Sequence, residues 1–158
     1  MPRTSPCLWF DKEAEEAANF YVPVFPNSTI NTITRYGANM HGPEGSVLTV
    51  SVSLDGQDYL LLNGGPMFTF SEAISFLIYC KSQAEIDAYW DRLTAEGGKA
   101  SIGGWLKDKY GLSWQVVVEG WDQMLADPDK SKSERVMAAV MKMKKIDLET
   151  IRRAYAGS

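Results

Sequence analysis

Histidine and cysteine are scarce in this chain of 158 residues, which has one histidine and two cysteines. A structural zinc site needs about four Cys or His ligands, so His41 and two cysteines without a C-x-x-C spacing argue against one. No Ser-His-Asp or Cys-His catalytic set can be assembled around His41, whose turn-rich segment favours an exposed loop. Cys7 and Cys80 lie in apolar runs, and we expect buried, reduced thiols, as in a cytosolic protein.

Positive charge and long apolar runs are also limited. The net charge of −4 argues against a nucleic-acid partner, because phosphates require a basic face. No stretch approaches the roughly 20 apolar residues of a membrane span, and no apolar signal segment begins the sequence. With 45% apolar and 23% charged residues, the composition predicts a single cytoplasmic domain over residues 1–158, with no membrane partner.

The first part of the chain predicts one strand, one helix and three further strands. Residues 5–10 are typical of a strand, and apolar residues then recur at helical spacing at Ala14, Ala17, Ala18 and Tyr21. Three strands are predicted at residues 29–35, 46–54 and 59–62. Asp55-Gly56 indicates a hairpin between the last two, and residues 64–66 (Gly-Gly-Pro) close the segment.

The same order of elements then begins again. Residues 73–80 predict a buried strand, and Ser82 with Glu85 forms a capping-box pattern that opens a helix. Strands at 100–102 and 113–118 follow, with a loop predicted around 105–111. This repetition indicates a duplicated module. Two further helices are predicted in the tail, one capped by Ser131 with Glu134 and one running from Asp147 to Gly157.

Several local strings resemble the PhnB-like branch of the vicinal oxygen chelate (glyoxalase/bleomycin-resistance/dioxygenase) superfamily, a branch often labelled demethylubiquinone methyltransferase-like. These strings are Cys7-Leu-Trp-Phe, Asn63-Gly-Gly-Pro66, Gln83-Ala-Glu-Ile-Asp-Ala-Tyr-Trp90, residues 105–115 and residues 135–147 of the tail. The resemblance implies an α+β fold. It also implies that two consecutive βαβββ modules, at about 1–66 and 72–118, form a curved half-open sheet, with C-terminal helices at about 120–158.

In the superfamily's enzymes, four His, Gln or Glu ligands on the first and last strands of the two modules hold a divalent ion. Carried onto this sequence, the four positions fall within residues 4–6, at Leu61 or Asn63, near Ser75, and at Gln115. None of these supplies a carboxylate or an imidazole, which divalent ions prefer. We therefore expect no metal and no cofactor. The glycines at 64–65 and 103–104 are interpreted as tight turns rather than as a nucleotide-binding loop.

The resemblance leaves a cavity without metal ligands, and it predicts a metal-free protein that binds a small molecule and forms a homodimer. The residues predicted to contact the ligand are Trp9, Asn63, Ser75, Trp105 and Gln115. Trp105 is singled out because it is predicted to lie on a loop beside glycines. Two alternatives stay open: an enzyme of the superfamily (a lyase, isomerase or transferase), and a structural partner protein without a ligand. The sequence identifies no catalytic residue and no substrate.

Overall fold

A computed structural model describes residues 3–158 of the chain. These residues form two compact units, one ending at Phe70 and the other beginning at Ser71. Each unit contains one βαβββ module, and three helices follow the second module. The α+β class and the two consecutive modules with C-terminal helices, both predicted from the sequence, are confirmed. Within each module the strands pair as one mixed sheet of four strands.

Module one contains four strands and one helix: β1 (Cys7–Phe10), α1 (Ala14–Tyr21), β2 (Thr29–Arg35), β3 (Val47–Leu54) and β4 (Gln57–Asn63). The strand order is β1-β4-β3-β2, with β1 parallel to β4 and the other pairs antiparallel. Asp55 and Gly56 join β3 to β4 with φ of 48° and 81°. Positive φ at both central residues is what a two-residue hairpin requires, so the predicted turn is confirmed.

Alternating burial along the strands positions the core of module one. Val50, Val52 and Leu54 are buried on β3, whereas the serines between them are partly exposed. The α1 residues predicted to form a stripe (Ala14, Ala17, Ala18 and Tyr21) are all fully buried. Three alanines let the helix backbone lie close to the sheet, so α1 covers the valine side and leaves the opposite side of the sheet for polar residues.

Module two repeats this arrangement with β5 (Ser75–Cys80), α2 (Gln83–Thr94), β6 (Lys99–Ala100), β7 (Trp105–Lys107) and β8 (Ser113–Val118). The order is β5-β8-β7-β6, and the first and last strands are again parallel. Strand β7 was missed by the sequence analysis. Trp105 lies in it, so the prediction that Trp105 is a loop residue was wrong. A strand of three residues with one buried side chain, Leu106, is too short to show alternation.

Some of the predicted N-terminal caps of the helices are confirmed and others are wrong. The Ser82 hydroxyl accepts a hydrogen bond from the Glu85 backbone amide at 3.2 Å, as the capping box predicts. The Glu85 carboxylate, however, accepts from the backbone amide of Lys81 at 2.7 Å and not from that of Ser82. The tail forms α3 (Trp121–Leu125), α4 (Lys130–Val140) and α5 (Leu148–Ala156). The predicted cap at Ser131 was wrong, because Asp129 caps α4 by accepting from the Ser131 amide at 3.0 Å. No helix within residues 3–158 has the length and apolar character to span a bilayer.

The tail docks onto module two through backbone hydrogen bonds. The Gln83 side chain donates to the Ile146 carbonyl at 2.9 Å and accepts from the Leu148 amide at 2.8 Å. The amides of Gly103 and Gly104 donate to carbonyls of Met143 and Lys144, both at 2.8 Å. These bonds place the apolar Ile146 side chain in a fully buried position. Gln83 on α2 and the glycines at 103–104 therefore together hold the segment between α4 and α5.

Replacing Gln83 with alanine should loosen the tail. The change removes two hydrogen bonds to the tail and one to Asp87, which predicts a fall of about 1–3 kcal/mol in the free energy of unfolding. Hydrogen exchange should show reduced protection of residues 143–148 in Gln83→Ala. Gln123→Ala, an exposed position on α3, is the matched control and should leave both measurements unchanged. Equal effects of the two variants would contradict the docking role of Gln83.

The two thiols differ in exposure, which corrects the expectation that both are buried. Cys80 is buried, but Cys7 is exposed on the edge strand β1. Burial, with a smaller contribution from the Glu85 carboxylate, raises the pKa of Cys80 to about 12. Partial burial also raises the pKa of Cys7. At pH 8 a thiol-reactive dye should therefore label one site per folded chain, slowly, and two sites per unfolded chain. Cys7→Ser should remove the labelling of the folded protein, and two reactive thiols in the native protein would contradict this assignment.

Candidate functional site

The sheet of module two has a face directed away from α2, which we call the open face. It bears Ser75 and Leu77 of β5, Trp105 and Lys107 of β7, and Ser113 and Gln115 of β8. Alternate residues of the same strands, Leu106, Trp114 and Val116, are buried on the side that α2 covers. Ser75 and Gln115 are partly exposed on this face, so their polar groups can contact a ligand, whereas Ser113 is buried there.

Three residues predicted to bind the ligand lie together on this face. The Gln115 side-chain amide donates a hydrogen bond to the Ser75 hydroxyl at 2.9 Å, between strands separated by 40 residues of sequence. Trp105 stands directly opposite Gln115 in the β7–β8 register. Side chains opposite one another in neighbouring strands are close enough to contact the same molecule. The arrangement therefore presents an amide, a hydroxyl and an indole at one place.

A cavity of about 270 Å³ lies next to this group. Trp105, Lys107 and Ser113 form part of its wall, and Glu72, Lys99, Ala100, Ser101 and Leu106 form the remainder. The Lys107 ammonium group is paired with the Glu72 carboxylate. This ion pair holds the pKa of Glu72 below its usual range. The cavity thus combines charged, hydroxyl and aromatic groups.

Asp108, which is not among the residues predicted from the sequence, supports the sheet from the side that α2 covers. It is one of three buried polar or charged residues in the described part of the chain. One carboxylate oxygen accepts from the amides of Tyr110 and Leu112 at 2.9 and 3.1 Å, and the other accepts from the Trp114 indole at 2.9 Å. The spacing of Asp108 and Gly111 is a turn signal that could have revealed it. Asp108 fixes the turn between β7 and β8 and hence the register that pairs Trp105 with Gln115.

In module one, the predicted residues Trp9 and Asn63 lie on opposite faces of the sheet. Asn63 lies on the α1 side, where its amide accepts from the Ala14 backbone at 2.9 Å and donates to the Val47 carbonyl at 3.1 Å. The Trp9 indole donates to the Gly65 carbonyl at 2.8 Å, and its ring contacts Phe68 edge-on. Both polar side chains therefore hold module one together. Their role in ligand binding stays a prediction.

Module one has its own cleft, of about 590 Å³, at the end of β4. Asn63 and residues 64–66 form one wall, and the loop carrying His41 forms another, together with Lys12 and the buried Tyr36. The exposed position predicted for His41 is confirmed, but its place beside a cleft gave no signal in the sequence. The charged residues of its lining are one lysine, Lys12, and two carboxylates, Asp11 and Glu15.

The donor set does not suit a divalent metal. Within residues 3–158 no three His, Cys, Asp or Glu side chains are grouped so that they could hold an ion. At the positions inferred from the resemblance, Leu61 is fully buried, and Ser75 and Gln115 are hydrogen-bonded to each other. Neutral hydroxyl and amide oxygens alone bind such ions weakly. The amides of Gly103 and Gly104, moreover, are already hydrogen-bonded to the tail.

Comparison with known proteins places the chain in a family. Residues 2–117 match the model of the 3-demethylubiquinone-9 3-methyltransferase family. The chain belongs to this family, which is PhnB-like. It is 34% identical to the PhnB protein from Bacillus cereus, and the two structures give a TM-score of 0.66. The match covers 74% of this chain and 99% of the PhnB chain. A comparison with curated proteins gave no match.

More distant structures show the fold of this family member. The fosfomycin resistance protein FosX from Listeria monocytogenes, solved with Mn(II) and sulfate, gives a TM-score of 0.54 at 14% identity, over 79% of this chain and 95% of FosX. A glyoxylase/bleomycin resistance protein/dioxygenase domain from Frankia gives 0.51 at 13% identity, over 75% of this chain and 97% of that domain. The fold is therefore that of the glyoxalase/bleomycin-resistance/dioxygenase superfamily.

Asp108→Asn should test the support of the sheet of module two. The amide keeps one acceptor but turns an N–H₂ group toward donors, so we expect a loss of about 2–4 kcal/mol in the free energy of unfolding. The indole N–H resonance of Trp114 should shift in the same variant. Asp91→Asn, at an exposed position of α2, should change stability by about 0.5 kcal/mol or less. An unshifted indole resonance in Asp108→Asn would contradict the assigned hydrogen bond.

Proposed function

We propose that this family member is a metal-free protein that binds a small molecule on the open face of module two. The observation that carries the proposal is the Gln115–Ser75 hydrogen bond of 2.9 Å, which lies beside Trp105. These are positions at which the resemblance puts metal ligands in the superfamily's enzymes. Here a neutral amide and a neutral hydroxyl take those positions and satisfy each other.

The chemistry of the open face supports ligand binding. Small-molecule sites are mostly apolar surfaces with a few placed polar groups that fix orientation. Trp105 and Leu77 supply apolar surface, and the hydroxyl and amide of Ser75 and Gln115 supply donors and acceptors. Leu77 is an exposed apolar side chain, which a bound ligand could cover. The adjoining cavity of about 270 Å³ is close to the lower end of the roughly 300–1,000 Å³ typical of ligand pockets.

The polar groups also argue against a catalytic metal at this place. The FosX structure was solved with Mn(II), whereas the two inferred positions of module two carry no charge in this chain. Without an anionic ligand, an ion would lose its hydration shell without adequate replacement. The proposed mode of action is therefore capture of the molecule and not Lewis-acid catalysis. We propose in addition that the protein is a homodimer in the cytoplasm.

Native mass spectrometry, combined with calorimetric titration of Zn(II) and Mn(II), tests this proposal. The wild-type protein should show a dimer mass, no saturable one-to-one metal binding, and an additional organic mass when it is purified under mild conditions. One equivalent of bound metal, lost in Gln115→Ala, would overturn the metal-free assignment and favour the enzyme alternative.

A variant designed to gain metal binding serves as a positive control for the metal titration. Ser75 and Gln115 are within hydrogen-bonding distance, so the double variant Ser75→His/Gln115→Glu places an imidazole and a carboxylate within reach of one ion. This variant should bind Zn(II) measurably, while the wild type and the single Gln115→Ala variant should not. If the double variant also fails to bind, the geometry of the two positions, and not only their chemistry, excludes a metal.

A further inference from the structure

One row of side chains crosses the whole sheet of module two. Ser75 of β5 is opposite Ser113 of β8, Ser113 is opposite Lys107 of β7, and Lys107 is opposite Lys99 of β6. Directly opposed residues share a face, and in the antiparallel pairs β8–β7 and β7–β6 their Cβ atoms are about 4.5–5.5 Å apart. The row therefore sets two hydroxyl groups and two ammonium groups side by side, and three of the four residues line the cavity of about 270 Å³.

Ser113 is the unusual member of this row. Its side chain is fully buried, and its hydroxyl has no hydrogen-bond partner within residues 3–158. Buried hydroxyl groups in folded proteins are almost always hydrogen-bonded, because burial without a partner forfeits their bonds to water. The other two buried polar side chains, Asn63 and Asp108, follow this rule with two or more partners each. Ser113 departs from it at the wall of a cavity, which points to a ligand atom as the missing partner.

The charges around the cavity indicate what that ligand carries. Lys99 is exposed and makes no ion pair within the described part of the chain, whereas Lys107 is paired with the exposed carboxylate of Glu72. The three charged residues give the cavity a net charge of +1. Glu72 is part of the cavity wall and occupies the ammonium group that an incoming anion would contact. It thus behaves as an internal competitor for the site.

Building on the proposed function, we propose that this cavity binds the oxyanion group of a small molecule that also has an apolar part. The Ser113 hydroxyl donates a hydrogen bond to the oxyanion, Lys107 and Lys99 neutralise its charge, and the Trp105 ring contacts the apolar part of the molecule. A carboxylate and a phosphonate share the required chemistry, since both offer charged oxygen acceptors to hydroxyl and ammonium donors. The proposal assigns a ligand class to a site for which the sequence predicted only a neutral, polar ligand environment.

Titration of four probes tests the class of ligand. Benzoate and phenylphosphonate carry both parts of the proposed ligand, benzamide lacks the charge, and inorganic phosphate lacks the ring. Binding is followed by calorimetry and by the indole resonances of uniformly labelled protein. Benzoate or phenylphosphonate should bind at least about tenfold more tightly than benzamide, because a hydrogen bond to a charged group exceeds one to a neutral group by that order. Their relative affinity identifies the head group, and tight binding of phosphate alone identifies a free anion.

Variants of the row separate a ligand role from a structural role. Ser113→Ala should weaken anion binding about tenfold but should not lower the midpoint of thermal unfolding, because it removes a buried group that has no partner. Lys107→Met should also weaken binding, and Glu72→Gln should strengthen it by freeing Lys107. Ser51→Ala, a partly exposed serine on β3 of module one, is the matched control and should leave anion affinity unchanged.

The outcomes distinguish this inference from the proposed function. Equal affinity for benzamide and benzoate, unaffected by Ser113→Ala, would overturn the anion assignment while leaving small-molecule binding intact. Failure of all four probes to bind would overturn the anion assignment too, and the retained organic mass in the native spectrum would then decide the proposed function by itself. A lower unfolding midpoint for Ser113→Ala would show that the serine is a structural residue.

Discussion

Parallel pairing of the first and last strands is the constraint on which each module depends. A parallel pair cannot be closed by a tight turn, so the chain must cross over through a helix before it returns to the same sheet. In module two this crossing brings Ser75 next to Ser113 and Leu77 next to Gln115, although 38 residues separate each pair. In module one it brings Phe10 next to Asn63. The hydrogen bond between Ser75 and Gln115, on which the candidate site rests, is made across such a pair.

The parallel pairing also explains why the crossover helices pack closely against one face of their sheets. A crossover helix must cover one face of the sheet along its length, and α1 does so with three fully buried alanines. The other face is then left free for hydroxyl, amide and indole groups. The separation of an apolar face from a polar face is therefore a consequence of topology. It is the condition under which a small sheet can offer a binding surface without losing its core.

Most elements of the fold could be predicted from the sequence, because the helical stripes, the hairpin at Asp55-Gly56 and the order of the strands leave local signals; the short elements β7 and α3 could not. The orientation of single side chains could not. Trp9 and Asn63 were grouped as ligand contacts, yet adjacent pairs in the β1–β4 register place them on opposite faces. Trp105 was assigned to a loop because its strand has three residues. Ser113 carried no signal at all, since a serine in a strand acquires meaning only when its partners on neighbouring strands are known.

The buried polar groups of this protein differ in their hydrogen-bond partners. That difference distinguishes a residue that stabilises the fold from one that we propose contacts a ligand. Asp108 is bonded to two amides and an indole of its own chain, so it stabilises one conformation of the β7–β8 turn. Ser113, five residues further on, lies in a position fixed by that same turn but has no partner in the chain. A protein gains no stability from such a group, whereas a ligand that reaches it meets a donor already freed from water. Because the side chain of Lys99 is exposed and that of Lys107 is partly exposed, their attraction for an anion acts partly through solvent. Salt should therefore weaken the capture of the charge while leaving the hydrogen bond from Ser113 almost unaffected.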